Sequence, residues 1–267
     1  MSKLFPLSAL ALAAAIAVQA QAESKLEEIV VTSSRVELPL RQVGTSIAVM
    51  TAADIQAQGF KSLADVLRTQ PAVAASSNGG VGSVTSLRIR GEEAFRTRLF
   101  IDGIDVSDVS ARQVAPRFEH ILSSGINRVE ILRGPQGLMY GADAGGIVNI
   151  ITRSGGDGFD GHVSAEGGRY DTRQLGADLA GGNELVDFAL SAVDYSTGGF
   201  NARADDTALR DDDGYDNTTL HGRIGWNATD TLRLELVARD VSGEGEYDNC
   251  FASEGRSDDC ENEYDQS

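Results

Sequence analysis

The densest set of reactive groups in this 267-residue chain is a run of carboxylates. Asp205 and Asp206 are followed by Asp211, Asp212, Asp213 and Asp216, with Gly214 and Tyr215 inside the run. Carboxylates packed around a glycine suit a hard cation such as calcium, which takes roughly six to eight oxygen ligands. A solvated acidic loop would read the same way. The EF-hand pattern is absent, because no glutamate stands at the twelfth position from Asp205 or from Asp211. The second reactive pair is Cys250 and Cys260. Two cysteines with no histidine nearby do not make a zinc site, and an even count at short separation in an exported chain predicts one disulfide closing a small loop. Nucleophilic catalysis has no candidate set: His120, His162 and His221 lie in unrelated contexts, and no Ser–His–Asp pattern accompanies them. His221 falls in a strand pattern as a polar residue facing inward. No Gly-x-x-x-x-Gly-Lys loop occurs, so Gly134, Gly141, Gly145 and Gly146 read as turn residues and not as a phosphate cradle. The sequence therefore predicts no catalytic residue and no required cofactor, with calcium an option.

Charge separates the chain into two parts. The net charge is −17. Residues 1–159 hold 15 basic and 15 acidic residues, whereas residues 160–267 hold 8 and 25, which places the whole imbalance in the last part. A phosphate footprint needs clustered positive charge, so nucleic acid is excluded as a partner.

The start of the chain reads as a leader. Lys3 gives a positive first segment, Leu4 to Val18 is a mostly apolar stretch containing Pro6, and Ala20-Gln21-Ala22 is a cleavage site, which puts the mature start at Glu23. The apolar run is shorter than the roughly 20 residues of a spanning helix. Just beyond it, Glu28, Ile29, Val30, Val31 and Thr32 form a short β-prone run in a polar stretch. Such a run either opens the first sheet or docks as an added strand on a partner's sheet edge.

From residue 40 to 153 short helices and strands alternate. Thr45 to Met50 reads as a strand. Thr51 with Asp54 caps a helix that Gly59 closes, and Ser62 with Asp65 opens another that Pro71 stops. Leu87 to Gly91 alternates apolar and basic residues, Leu99 to Val106 is a hairpin about Asp102-Gly103, and Asn127 to Leu132 and Ile147 to Thr152 are further strands. Arg88, Arg90, Arg128 and Arg133 are expected to pair with carboxylates. These segments predict an α+β domain.

Four segments in order, Leu87-Arg-Ile-Arg-Gly91, Leu99-Phe-Ile-Asp-Gly-Ile104, Arg128-Val-Glu-Ile-Leu-Arg-Gly-Pro135 and Tyr140-Gly-Ala-Asp-Ala-Gly-Gly-Ile-Val-Asn-Ile-Ile-Thr152, closely resemble the plug domain of TonB-dependent outer-membrane receptors. The resemblance covers residues 27 to about 155. It implies that Glu28, Ile29, Val30, Val31 and Thr32 are the TonB box, with TonB as a periplasmic partner. Asp211, Asp213, Gly214 and Tyr215, with the later Tyr247-Asp248, resemble early extracellular loops of the cobalamin receptors in that family, whose aspartates hold calcium. By that resemblance Asn201, Asp211, Asp213 and Asp248 form the candidate metal set, Asn201 replacing an aspartate of the group.

Beyond Phe159 the pattern becomes strict alternation. Val163 and Ala165, then Leu175, Ala177 and Leu179, then Val186, Phe188, Leu190 and Ala192, then Leu220, Ile224 and Trp226, then Leu232, Leu234, Leu236 and Ala238 each stand opposite polar neighbours. Apolar outward and polar inward with short turns at 181–184 and 227–230 is the sign of a membrane β-barrel. A soluble sandwich is the alternative. Long loops are expected over Ser196 to Tyr215 and from Ser242 onward. Five strands cannot close in lipid, and a barrel that holds a plug needs about 22. The expected organisation is a leader over 1–22, a docking segment over 23–39, a plug domain over 40–155 and the first strands of an incomplete antiparallel transmembrane barrel over 156–267. The expected function is energised uptake across the bacterial outer membrane of a scarce ligand, cobalamin or a ferric siderophore, with carbohydrate third. An outer-membrane adhesin or scaffold that kept a plug-like fold is the rival from another class, followed by a periplasmic enzyme.

Overall fold

The structure, a computed structural model, describes residues 29–30, 38–39, 46–110, 113–134, 140, 145–203, 212–248, 250–252, 255–257 and 260–267. The predicted leader lies outside the described residues. At the N-terminal side, β1 (Ile29–Val30) pairs antiparallel with β2 (Leu38–Pro39), Val30 opposite Leu38.

The first domain is built on one mixed sheet. β3 (Ile47–Thr51) runs into helix α1 (Ala52–Gln58) through the predicted cap, since Thr51 accepts from the Asp54 amide and Asp54 accepts from the Thr51 amide. The Thr51 amide and then the Thr51 hydroxyl, both donating to it, hold the Asp54 carboxyl below its usual range. α2 (Leu63–Leu67) follows, but Ser62 makes no side-chain cap and instead bridges to Leu122. A ribbon of β4 (Val73–Ser77) and β5 (Thr85–Ile89) leads to β6 (Thr97–Ile101) and β7 (Ile104–Asp105). A short pair, β8 (Ser107–Asp108) with β9 (Ala115–Pro116), precedes a 3-10 turn over Phe118–His120. β10 (Ile126–Arg133) and β11 (Gly146–Thr152) complete the sheet in the order β3-β10-β11-β6-β7, with β11 parallel to β6. Val129, Glu130, Ile131 and Leu132 are all buried, as a strand covered on both faces requires. Leu63, Leu67, Leu87, Ile89, Leu99, Ile131 and Val148 form the core between helices and sheet. Arg128 pairs with Glu130 at 2.8 Å as expected of it, while Arg133 donates to the Pro71 carbonyl.

The second part is one antiparallel sheet of long strands: β12 (Gly158–Gly167), β13 (Arg173–Gly182), β14 (Val186–Phe200), β15 (Asp213–Thr229) and β16 (Leu232–Tyr247), after which a hairpin of β17 (Cys250–Ala252) and β18 (Gly255–Ser257) leads to β19 (Cys260–Gln266) on the far edge. At the lower end the turns are short: Asn183 caps one by accepting from the Leu185 and Val186 amides. The strand pattern fixes two faces. Val163, Leu175, Leu190, Ile224, Trp226, Leu234 and Leu236 stand exposed on the outer face, while Gln174, Asp187, Asn217, Thr219 and His221 are buried on the inner one. In register, Phe159, Gly181, Phe188, Ile224 and Leu236 form one row of the outer face. A continuous apolar band on the outside and polar groups inside is the arrangement lipid demands of a barrel wall. No helix among the described residues is long and apolar enough to cross a membrane.

Two expectations are corrected. Part of the loop expected over Ser196 to Tyr215 is strand: β14 runs on to Phe200 and β15 begins at Asp213, both continuing above the apolar band as polar strands. The stretch expected to be loop from Ser242 onward supplies the end of β16 and a sixth wall strand, β19. These segments lack apolar alternation because their outer face carries polar residues there; their pairing rests on backbone hydrogen bonds, which leave no mark in side-chain hydropathy.

Cys250 and Cys260 are disulfide-bonded, closing the hairpin excursion onto the top of β16, where Cys260 is opposite Tyr247. Cys250→Ser is expected to lower stability by about 3 kcal/mol, the chain-entropy value for a loop of this size. Denaturant midpoints of oxidised parent and variant check it; coincident midpoints would show that the bridge contributes nothing.

Candidate functional site

The chemistry of this molecule gathers along the seam where the first domain meets the inner face of the sheet, and at the mouth above it. The first contact is built by the β6–β7 hairpin. Asp102 and Gly103 both take positive φ, 47° and 84°, the type I′ turn that Asp-Gly favours. That turn aims the Asp102 carboxylate at the wall. It accepts from the Thr152 amide at 2.9 Å and the Thr152 hydroxyl at 2.7 Å, and from His221 Nε2 on β15 at 2.9 Å; Arg223 Nη1 stands 3.7 Å away. The Asp102 and His221 side chains are 1% and 5% exposed. Burial pushes the Asp102 carboxyl up, but the bonds from His221 and Thr152 outweigh it, so the group titrates below its ordinary value. From Arg223 an ionic ladder runs down the wall: Arg223 to Glu235 at 2.9 Å, Glu235 to Arg233 at 3.4 Å, and Arg233 to Asp187 through two bonds of 2.7 and 3.0 Å.

The second contact is an aromatic clasp. His120, at the end of the 3-10 turn, stacks on Tyr264 of β19 with centroids 4.1 Å apart. Its Nδ1 accepts from the Tyr215 hydroxyl at 2.9 Å; that hydroxyl accepts from Asn217, which in turn accepts from Thr219. With Asn217 already donating to the Tyr215 oxygen, the hydroxyl proton is available to Nδ1, a pairing that suits the neutral ring. Burial, helped by the nearby Arg117 charge, lowers the His120 pKa to about 4. Neighbouring Glu119 is pushed up by burial, with Arg117 and the Thr85 amide acting against that. Arg117 also binds Asp108, whose pKa falls to about 2, with the Ser110 hydroxyl the main cause. Further along the seam Gln174 donates to Ser124 at 2.7 Å, and Lys61 pairs with Glu166.

Above the clasp the 78–84 loop leans on the wall. Gly82 has φ +89°, and a Cβ there would lie 2.1 Å from the Tyr215 ring. Gly82→Ala is therefore expected to push the loop off the wall and cost about 1–3 kcal/mol, as overpacking does. Protease sensitivity of the 78–84 loop checks this; unchanged sensitivity would mean that the loop does not rest on Tyr215. Beside the loop opens a cavity of about 520 Å³ lined by Asn78, Arg117, Arg203, Asp213, Glu246 and Asp248, among others.

Of the predicted metal set, Asp211 lies outside the described residues. Asp213 and Asp248 line that one cavity. Asn201 accepts from the Arg203 amide and Asp213 from the Ala202 amide, so both side chains brace the loop backbone. Among the described residues no group of three or more histidine, cysteine or acidic side chains is arranged to hold a metal. Of the predicted docking residues, Ile29 and Val30 form β1, while Glu28, Val31 and Thr32 lie outside the described residues. Sequence reasoning missed the two seam contacts. Asp102 was legible as a turn residue and His221 as an inward polar residue, but nothing along the chain joins positions 119 apart.

Comparison with known proteins places this geometry. Residues 39–148 match the family model described as TonB-dependent Receptor Plug Domain. Over 233 residues the chain is 34% identical to the Vitamin B12 transporter BtuB of Photobacterium profundum, a match that covers 86% of this chain and 38% of that protein. Among solved structures it resembles the ferripyoverdine receptor of the outer membrane of Pseudomonas aeruginosa, with a TM-score of 0.66, 20% identity, and coverage of 87% of this chain and 30% of that one. The siderophore receptor PirA from Acinetobacter baumannii gives a TM-score of 0.61 and 22% identity, covering 75% of this chain and 32% of that one. The chain thus spans well under half the length of the relatives it matches, and over the matched part the solved structures share its fold, a plug domain against the strands of a barrel wall.

Proposed function

This chain belongs to the TonB-dependent outer-membrane receptors, and on that premise we propose that it forms the plug and first wall strands of a receptor for energised uptake of cobalamin. In that reading residues 1–22 are a removed leader, 23–39 the docking segment, 40–155 the plug and 156–267 the start of the barrel. The observation that carries it is the plug seated by buried polar contacts on the polar face of a wall whose other face is apolar. A plug so held closes the path until something moves it. Cobalamin is favoured by the 34% identity to a vitamin B12 transporter. Ferric siderophores are the second reading, favoured by the solved receptors of like fold. Neither cargo needs catalytic chemistry from the protein. TonB would engage Glu28, Ile29, Val30, Val31 and Thr32 by strand addition and pull from the periplasm.

Equilibrium binding of labelled cobalamin to the purified full-length receptor tests the cargo. Saturable binding that a ferric siderophore does not displace supports the reading; siderophore binding without cobalamin binding moves it to the second.

In the same reading Asn201, Asp211, Asp213 and Asp248 bind calcium at the mouth. Like charges repel in this acidic region, and a divalent ion would tie two loops together and lower the ordering cost of cargo binding. Cargo affinity is then expected to rise about tenfold with calcium, and Asp211→Ala/Asp213→Ala is expected to remove the rise. Equal affinity with and without calcium would leave a solvated acidic loop.

A further inference from the structure

We infer that the wall residues His221, Arg223 and Arg239 form an oxyanion site, which the plug's Asp102 occupies at rest and an anionic group of the cargo takes over when the plug moves. The inference rests on the proposed uptake function.

The wall ladder alternates in sign: Asp187, Arg233, Glu235 and Arg223. Its upper end is a cation, and the plug supplies the missing anion through Asp102. His221 adds an Nε2 donor to the same carboxylate, and Arg239 is opposite His221 in register. One positive charge, Arg223, and one donor, His221, thus meet on one carboxylate that belongs to a different domain, with Arg239 across from His221 on the next strand. The wall groups are not fully used by it. His221 Nδ1 and Arg223 Nε are buried and have no hydrogen-bond partner among the described residues. A buried polar atom without a partner is costly, and an oxyanion with three or four oxygens could also meet the Arg223 Nε donor, which the one carboxylate leaves unmet.

The site also has access. A cavity of about 1160 Å³ lies beside the β7 strand and is lined by His162, Asp178, Ser191, His221 and Arg239. These five are one continuous row across the wall, each opposite the next. Asp178, the acidic member, is two strands from His221, roughly 10 Å at the usual strand spacing. That is about one Debye length at physiological salt, so it opposes an anion at His221 only weakly. Asp105 lines the cavity from the plug side and is paired with Arg98.

When the plug shifts, Asp102 leaves and the cationic end of the ladder is left in a poorly solvated place. A carboxylate or phosphate group on the cargo restores the balance, which stabilises the cargo halfway and keeps the plug from returning.

The test uses the full-length receptor and inorganic phosphate as probe. Calorimetric titration is run on the parent, Asp102→Ala and Asp102→Ala/Arg223→Gln. Phosphate is expected to bind Asp102→Ala at least tenfold more tightly than the parent, and the double variant is expected to fall back to the parent. Equal binding by parent and Asp102→Ala, or no effect of Arg223→Gln, overturns the site. Should Asp102→Ala fail to fold, Arg223→Gln alone decides, since Asp102 keeps its bonds to Thr152 and His221. Maximal uptake of cargo is expected to fall about tenfold in Arg223→Gln with surface affinity unchanged, and uptake equal to or above the parent overturns the inference. A parent that takes up no cargo would sink the uptake reading and leave the phosphate titration standing.

Discussion

Proline at Val30 is expected to reduce uptake by the full-length receptor to the level of de-energised cells while cargo still binds at the surface. The proposal makes residues 28–32 an added strand on TonB, and strand addition takes its affinity from the backbone. Proline removes an amide donor and fixes φ, which breaks a central strand pairing. The same substitution alters the pairing of β1 with β2, where Val30 is opposite Leu38. That pair is two residues long and distant from the mouth in sequence, so surface affinity is a clean control. The comparison is labelled-cargo binding on ice against accumulation in energised cells, for parent and Val30→Pro. Normal accumulation by the variant would remove the docking assignment.

The second large effect is acid destabilisation of the plug seat through His120. Its pKa is lowered to about 4 in the fold, against about 6.5 when unfolded. A histidine held neutral contributes its full stability above pH 6.5. As pH falls from there the unfolded chain takes up the proton first, and stability drops until both states are protonated below about pH 4. The gap corresponds to about 3 kcal/mol. Glu119 acts in the opposite direction, because a raised carboxyl favours the fold as pH falls. Asp108, lowered to about 2, loses its contribution only further down, as pH falls from about 4 toward 2. The difference between parent and His120→Phe isolates His120, since phenylalanine can still stack on Tyr264 and does not titrate. Denaturant stability of the two, measured between about pH 7 and 4, should converge by about 3 kcal/mol as pH falls. Parallel curves would show that the clasp does not depend on a neutral imidazole.

Much of this architecture was legible along the chain because it is written in local patterns. The Thr51–Asp54 cap, the Asp102–Gly103 turn and the alternation in β12 to β16 each rest on residues a few positions apart. The apolar band was legible for the same reason, since lipid imposes a period of two on every wall strand. β19 was not, because Glu261, Asn262, Glu263 and Asp265 carry polar side chains on both faces and pair only through the backbone. The seam was also hidden. His120 meets Tyr215 across 95 positions and Asp102 meets His221 across 119, and each pairing depends on how one domain is seated in the other. At the mouth, the carboxylates were legible by type, but their present bonds to loop amides belong to a particular loop geometry.

The most direct test of the whole account is accumulation of labelled cobalamin by cells that carry the full-length receptor as their sole cobalamin route, before and after collapse of the inner-membrane proton gradient. The account predicts that accumulation stops on collapse while binding at the surface is unchanged. Accumulation at the same rate without the gradient, with the plug still in place, would contradict it.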